Sequence, residues 1–252
     1  MPRNLSETEF GHKVLAQGHP HPLALWGINR YAQTMNTPQR LVIEIVFDFV
    51  CPWCYLGIKR LMRLCARRQD LAVTFIWRPF LLNPDMPRTG MSRTDYLMRK
   101  FGGEERAKRL YSSITALGAA DGIAFNFEAI RRTANSIEAH RLTAEAARQN
   151  CADALVMRIL EAHFQDGLDI GNEDVLVALA VEVGLDEAQT RQFLVQNEGI
   201  EQVRMENLRA HRRGVNGVPC FILDGEHAIS GAQESEVLER LIELTHILST
   251  DH

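Results

Sequence analysis

Residues 51–54 read Cys51-Pro52-Trp53-Cys54, and they close the apolar run "FDFV". Three chemistries use two cysteines at this spacing: a metal clip, a structural disulfide, or thiols that open and close. Structural zinc needs four ligands, and no second Cys-x-x-Cys or His-x-x-x-His pair accompanies this one. A bridge across so small a loop removes little unfolded-state entropy, and a reducing compartment opposes it. The spacing therefore favours thiol–disulfide exchange.

Position strengthens this reading. "LVIEIVFDF" is rich in β-branched and aromatic residues and short enough for a buried strand. "WCYLGIKRLMRLCARRQ" then places Leu56, Leu61, Leu64 and Cys65 at helical intervals, with Pro52 suited to the first turn. Cys51 thus falls where a strand ends and a helix begins, so unpaired N–H groups and the helix dipole favour a thiolate. Such settings lower a cysteine pKa from about 8.5 to roughly 3.5–7.5. Cys54 follows one turn later, within reach of Cys51. Pro52 supplies no N–H and Trp53 adds bulk, so both are expected to tune the redox poise, which spans about 150 mV, or ~7 kcal/mol, among known pairs. Glu44 and Asp48 lie on the strand leading to the site, and a carboxylate near the pair could accept a proton, but strand alternation fixes the position of neither, so neither enters the catalytic set.

The rest of the chain must supply a scaffold. Its 252 residues are 46% hydrophobic and 24% charged, enough for one large domain or two small ones. A net charge of −4 argues against a nucleic-acid partner. No apolar run approaches the ~20 residues that span a bilayer, and the first residues lack the pattern of a secretory signal. The expected location is the cytoplasm, with no membrane partner. Five scattered cysteines do not make a disulfide framework, and no metal site is expected; Cys65 and Cys151 read as structural, the alternative for Cys151 being a somewhat reactive thiol at a helix start.

Residues 1–39 form an irregular extension. Met35 stands just before the first strand, which fits translation starting there; the alternative is an arm packed on a neighbouring subunit. The histidines of "HPHP" (His19–Pro22) read as loop residues. "LAVTFIWRPF" is a second strand stopped by Pro79, parallel to the first through a right-handed crossover. From Leu81 to about Arg213 the chain shows helical spacing without a comparable strand run. "GVPCFILDGEHAISGAQ" then supplies two strands around Asp224-Gly225, a strong hairpin signal, and "SEVLERLIELTHIL" closes as an amphipathic helix. The expected fold is α/β, with a core of residues 40–82 and 199–252 and an inserted helical domain at 83–198.

Together, "DFVCPWCYLG", "WRPFLLNPDMP", "NSIEAHRL", "AHFQDGLDI" and "GVPCFILDGEHAISGAQ" resemble the thioredoxin-fold family of DsbA-like disulfide oxidoreductases, in its FrnE-like cytoplasmic branch. The resemblance runs from about Leu41 to Ile247. It implies a thioredoxin fold with a large inserted helical domain, Cys51 as the attacking thiol and Cys54 as the resolving thiol. It also implies a cis Val218-Pro219 bond whose loop pairs with substrate backbone. No tightly bound cofactor is implied; glutathione is a candidate co-substrate, a disulfide- or thiol-containing protein a candidate partner, and a homodimer a candidate assembly.

The same superfamily holds kappa-class glutathione transferases and 2-hydroxychromene-2-carboxylate isomerases, which share a stretch like "NSIEAHR". Asn135, Ser136 and His140 match it and either border a glutathione or peptide groove or form a helix cap and a core histidine. Cys220 departs from the family pattern by following Pro219 directly; it reads either as a small buried hydrophobe or as a third thiol near the pair. The rival functions are a glutathione-dependent isomerase or transferase and a peptide-binding, chaperone-like protein.

Overall fold

The computed structural model describes residues 38–250, with side chains described through Thr245. Residues 1–37 of the expected extension, including His19–Pro22, lie outside the described residues, and Gln39, its last residue, already opens a strand.

The chain begins with strand β1 (Gln39–Phe47), helix α1 (Pro52–Arg67) and strand β2 (Leu71–Pro79). It ends with helix α8 (Ile200–Arg212), strands β5 (Cys220–Leu223) and β6 (His227–Ser230), and helix α9 (Ser235–Thr250). Among the described residues these strands form a sheet in the order β2-β1-β5-β6. β1 runs parallel to β2, with Phe47 opposite Pro79, and antiparallel to β5, with Val46 opposite Cys220. The hairpin turns at Asp224 and Gly225, both at positive φ, and the Asp224 carboxylate accepts from the Val42 N–H at 2.9 Å.

Between β2 and α8 come α2 (Arg93–Phe101), α3 (Glu104–Ala120), α4 (Ile137–Arg148), α5 (Ala152–Phe164), α6 (Glu173–Glu182) and α7 (Glu187–Val195). Ser92, Asn172 and Asp186 start α2, α6 and α7 by accepting first-turn N–H bonds, the ordinary role of such residues. A two-residue antiparallel ladder, β3 (Met91–Ser92) with β4 (Arg132–Thr133), was not expected from the sequence. One apolar cluster runs from β1 and α1 through α5 to Leu176 and Leu194, so the insertion shares the core of the sheet domain.

Two buried arginines fasten this arrangement. Arg60 on α1 binds Asp121 at 2.7 Å and the carbonyls of Ala232 and Gln233, which joins α1 to the end of α3 and the approach to α9. Arg141 on α4 donates to Glu138 and to the carbonyls of Phe193, Gln196 and Glu198, and so closes the α7–α8 connection over α4.

Candidate active site

β1 ends at Phe47, and the turn Asp48–Val50 carries the chain to Cys51, which caps α1 without a side-chain hydrogen bond. Pro52 occupies the first turn, where its missing N–H leaves nothing unsatisfied. Cys51 and Cys54 are both thiols, both buried and in hydrogen-bond contact. Trp53 lies at the surface with 40% of its area exposed.

The Cys51 sulfur donates to the carbonyl of Val218 at 3.6 Å. The Val218–Pro219 bond is cis, and the Pro219 carbonyl accepts from Gly231 N–H at 2.7 Å. Gly57 on α1 permits this approach: a Cβ there would stand 2.9 Å from Pro219 Cγ, 3.1 Å from Ala232 Cα and 3.2 Å from Phe221 Cζ.

The two thiols differ in environment. Burial, reinforced by the neighbouring Cys51 sulfur, pushes Cys54 well above the usual thiol range. A thiol in this setting holds its proton firmly. Asp48 is the buried carboxylate beside the pair, and its charge also acts on Cys54. Its Oδ2 accepts from Leu82 N–H at 2.7 Å and its Oδ1 from Val50 N–H at 3.3 Å, with a further bond from the Ser136 hydroxyl. Burial outweighs these bonds and raises its pKa to about 6. Asp48 is the candidate site residue that the sequence did not place. Glu44 sits elsewhere, bound to Arg78 at 2.7 Å and facing Arg213; the two arginines and their bonds outweigh burial and lower its pKa.

The remaining sequence candidates separate. Asn135 donates to the Met86 carbonyl and accepts from Ile137 N–H, so it fastens the entry to α4. His140 is buried against the rings of Phe47 and Phe49. Cys220 does not join the pair. Strand alternation turns Phe221 and Leu223 toward the α1 cluster, which leaves Cys220 on the other face with Val46, Phe80, Ala210, Val215 and Ile222. Its thiol bonds Ser230, and burial raises its pKa. A groove of about 850 Å³ follows the outer edge of β2, past Phe75, Trp77, Arg78 and Phe193, and His140 borders it from α4; neither cysteine of the pair lines it. The described residues hold no cluster of three metal-ligating side chains and no helix long and apolar enough to cross a membrane.

Residues 42–243 match the DSBA-like thioredoxin domain family, and the chain belongs to that family. It is 27% identical over 202 residues to YwbO of Bacillus subtilis (strain 168), an uncharacterized protein, covering 79% of this chain and 94% of that one. A probable DsbA oxidoreductase from Streptomyces coelicolor superposes with a TM-score of 0.71 at 30% identity, over 81% of this chain and 89% of the other. A 2-hydroxychromene-2-carboxylate isomerase superposes with a TM-score of 0.63 at 20% identity, over 83% and 98% of the two chains, a likeness of fold alone.

Proposed function

We propose that this chain catalyses thiol–disulfide exchange on protein or small-molecule disulfides through Cys51 and Cys54. The observation that carries the reading is the contact of two thiols in unlike settings: Cys51 caps α1, and Cys54 lies one turn inward beside a buried carboxylate. The Cys51 thiolate attacks one sulfur of a substrate disulfide; a Cys51–substrate bond forms, and the other sulfur leaves as a thiolate. Asp48 takes the proton of Cys54. The Cys54 thiolate then attacks the Cys51 sulfur, the enzyme disulfide forms, and the second substrate sulfur leaves with the electron pair. The reverse sequence oxidises a dithiol.

The Val218–Pro219 loop lies beside the Cys51 sulfur, which suits it to hold the backbone of an extended substrate. Glutathione as co-substrate, a cytoplasmic setting, a homodimer and the absence of a tightly bound cofactor belong to the same reading. An isomerase would have no use for the contact between the two sulfurs. Insulin reduction with glutathione as the electron source tests the function: the wild-type protein turns over and Cys51→Ser loses on the order of 10²-fold or more. A Cys51→Ser protein with the wild-type rate would overturn it.

A further inference from the structure

His140 is buried with one ring nitrogen unused. Its Nε2 has no hydrogen-bond partner among the described protein groups, and only 1% of the side chain is exposed. The Phe80 carbonyl hydrogen-bonds the imidazole, and with Nε2 unpartnered that bond falls to Nδ1–H. A neutral ring that donates from Nδ1 presents a bare lone pair at Nε2. Burial keeps the ring neutral by lowering its pKa to about 3. The nearest carboxylate oxygen is Asp48 Oδ1 at 3.9 Å, so the contact is neither an ion pair nor a hydrogen bond. While Asp48 is ionised, neither atom offers the other a proton across that gap. A buried acceptor of this kind is costly unless a donor arrives, and a protonated Asp48 would be such a donor.

We propose that His140 is a positioning residue of the exchange reaction, whose Nε2 accepts the carboxylic acid O–H of Asp48 while Asp48 holds the proton taken from Cys54. This rests on the exchange reading above. When Asp48 is ionised the two groups stand apart; when it is protonated they close to a hydrogen bond of about 2.7 Å. The bond favours the protonated acid, and together with burial it holds Asp48 where it can both accept and release a proton near neutrality. The other titratable or polar groups around Asp48 are Cys51 and Cys54 from α1, Ser136 at the start of α4, and Lys100 and Tyr96 from α2 at longer range. Among them, His140 alone offers a bare nitrogen acceptor.

The test is the pH profile of mixed-disulfide resolution after glutathione disulfide is mixed with the reduced protein. His140→Asn keeps a donor for Phe80 and lacks the distal acceptor, whereas His140→Gln carries an amide oxygen near the Nε2 position. Asp48 acts as an ionised base, so the rate rises with pH through its pKa. Removing the acceptor makes ionisation easier, and the rise in His140→Asn moves down by about one pH unit; His140→Gln stays on the wild-type curve. A His140→Asn profile that coincides with wild type, or equal displacement in both variants, would overturn the proposal. Nitrogen-15 NMR of the wild-type ring reads the same bond without turnover or mutation. The prediction is an Nδ1–H tautomer whose Nε2 resonance moves as Asp48 titrates; an Nε2–H tautomer or a pH-independent Nε2 would overturn it. If wild type forms no mixed disulfide at Cys51, the exchange reading falls, and the NMR result still decides whether His140 and Asp48 bond.

Discussion

The Cys51 sulfur stands 3.6 Å from the carbonyl oxygen of Val218, a residue 167 positions later in the chain. The sequence-distant loop therefore reaches the helix start that carries the redox pair, and its neighbour Pro219 packs on α1 at Gly57. The groups around this contact are ones that the proposed exchange would use: a thiol at a helix N-terminus, a second thiol one turn away, a buried carboxylate and a backbone rim.

Gly57→Ala separates helix propensity from close approach. In an open helix the change would stabilise by about 1 kcal/mol. Here the new methyl meets the Pro219 ring and the Ala232 backbone, and overpacking of that kind costs about 1–3 kcal/mol. Urea unfolding is expected to show a net loss, and insulin reduction is expected to slow as the Val218–Pro219 loop is pushed off α1. A gain of about 1 kcal/mol would mean that α1 and the loop do not touch.

Asp48→Asn should trade stability against rate. A folded-state pKa of about 6 against an ordinary 3.8 means that the native state binds this proton more tightly than the unfolded chain. The group's contribution is full below about pH 4 and is lost as pH rises through 6, so at pH 8 burying the carboxylate costs about 3 kcal/mol. The amide forfeits about 1 kcal/mol of hydrogen bonding with Leu82 or Val50. Denaturant titration at pH 8 is expected to find Asp48→Asn more stable by about 1–2 kcal/mol, with the advantage gone at pH 4. Resolution of the mixed disulfide should slow by about tenfold or more. Equal stability changes at both pH values would contradict the raised pKa.

Cys220→Ala leaves exchange unchanged, because the thiol lies across the sheet from the pair. The lost packing costs about 1 kcal/mol. Turnover with insulin and the mass of glutathione adducts check this; loss of adducts or of turnover would place Cys220 at the site after all.

Arg141→Leu should be strongly destabilising, by about 3–5 kcal/mol, because Glu138 and three carbonyls lose their donor in a buried setting. Thermal unfolding measures the loss. A change below 1 kcal/mol would show that the α7–α8 connection does not depend on this residue.

The strand–helix–strand start and the final hairpin were legible because their signals are local: β-branched runs, a helical apolar stripe after Pro52, and Asp224-Gly225 between two strands. Membership of the DsbA-like family was legible because matching segments lie along most of the chain. Asp48 was not, since it follows the last residue of β1, where the alternation that would aim its side chain has ended. The direction of Cys220 was hidden for another reason: all of β5 is buried, so both faces are apolar and the pattern does not reveal which one covers α1. The β3–β4 ladder is two residues long and carries no period at all. His140 was legible only as either a groove residue or a satisfied core histidine; its unused nitrogen depends on Phe80 and Asp48, which only the fold brings together.

If Cys51 attacks and Cys54 resolves, a variant without the resolving thiol traps the intermediate. Cys54→Ser mixed with glutathione disulfide should accumulate one glutathione adduct, mapped to Cys51 by peptide mass spectrometry, that the wild-type protein clears. No adduct on Cys51, or an adduct carried instead by Cys65, Cys151 or Cys220, would contradict the assignment.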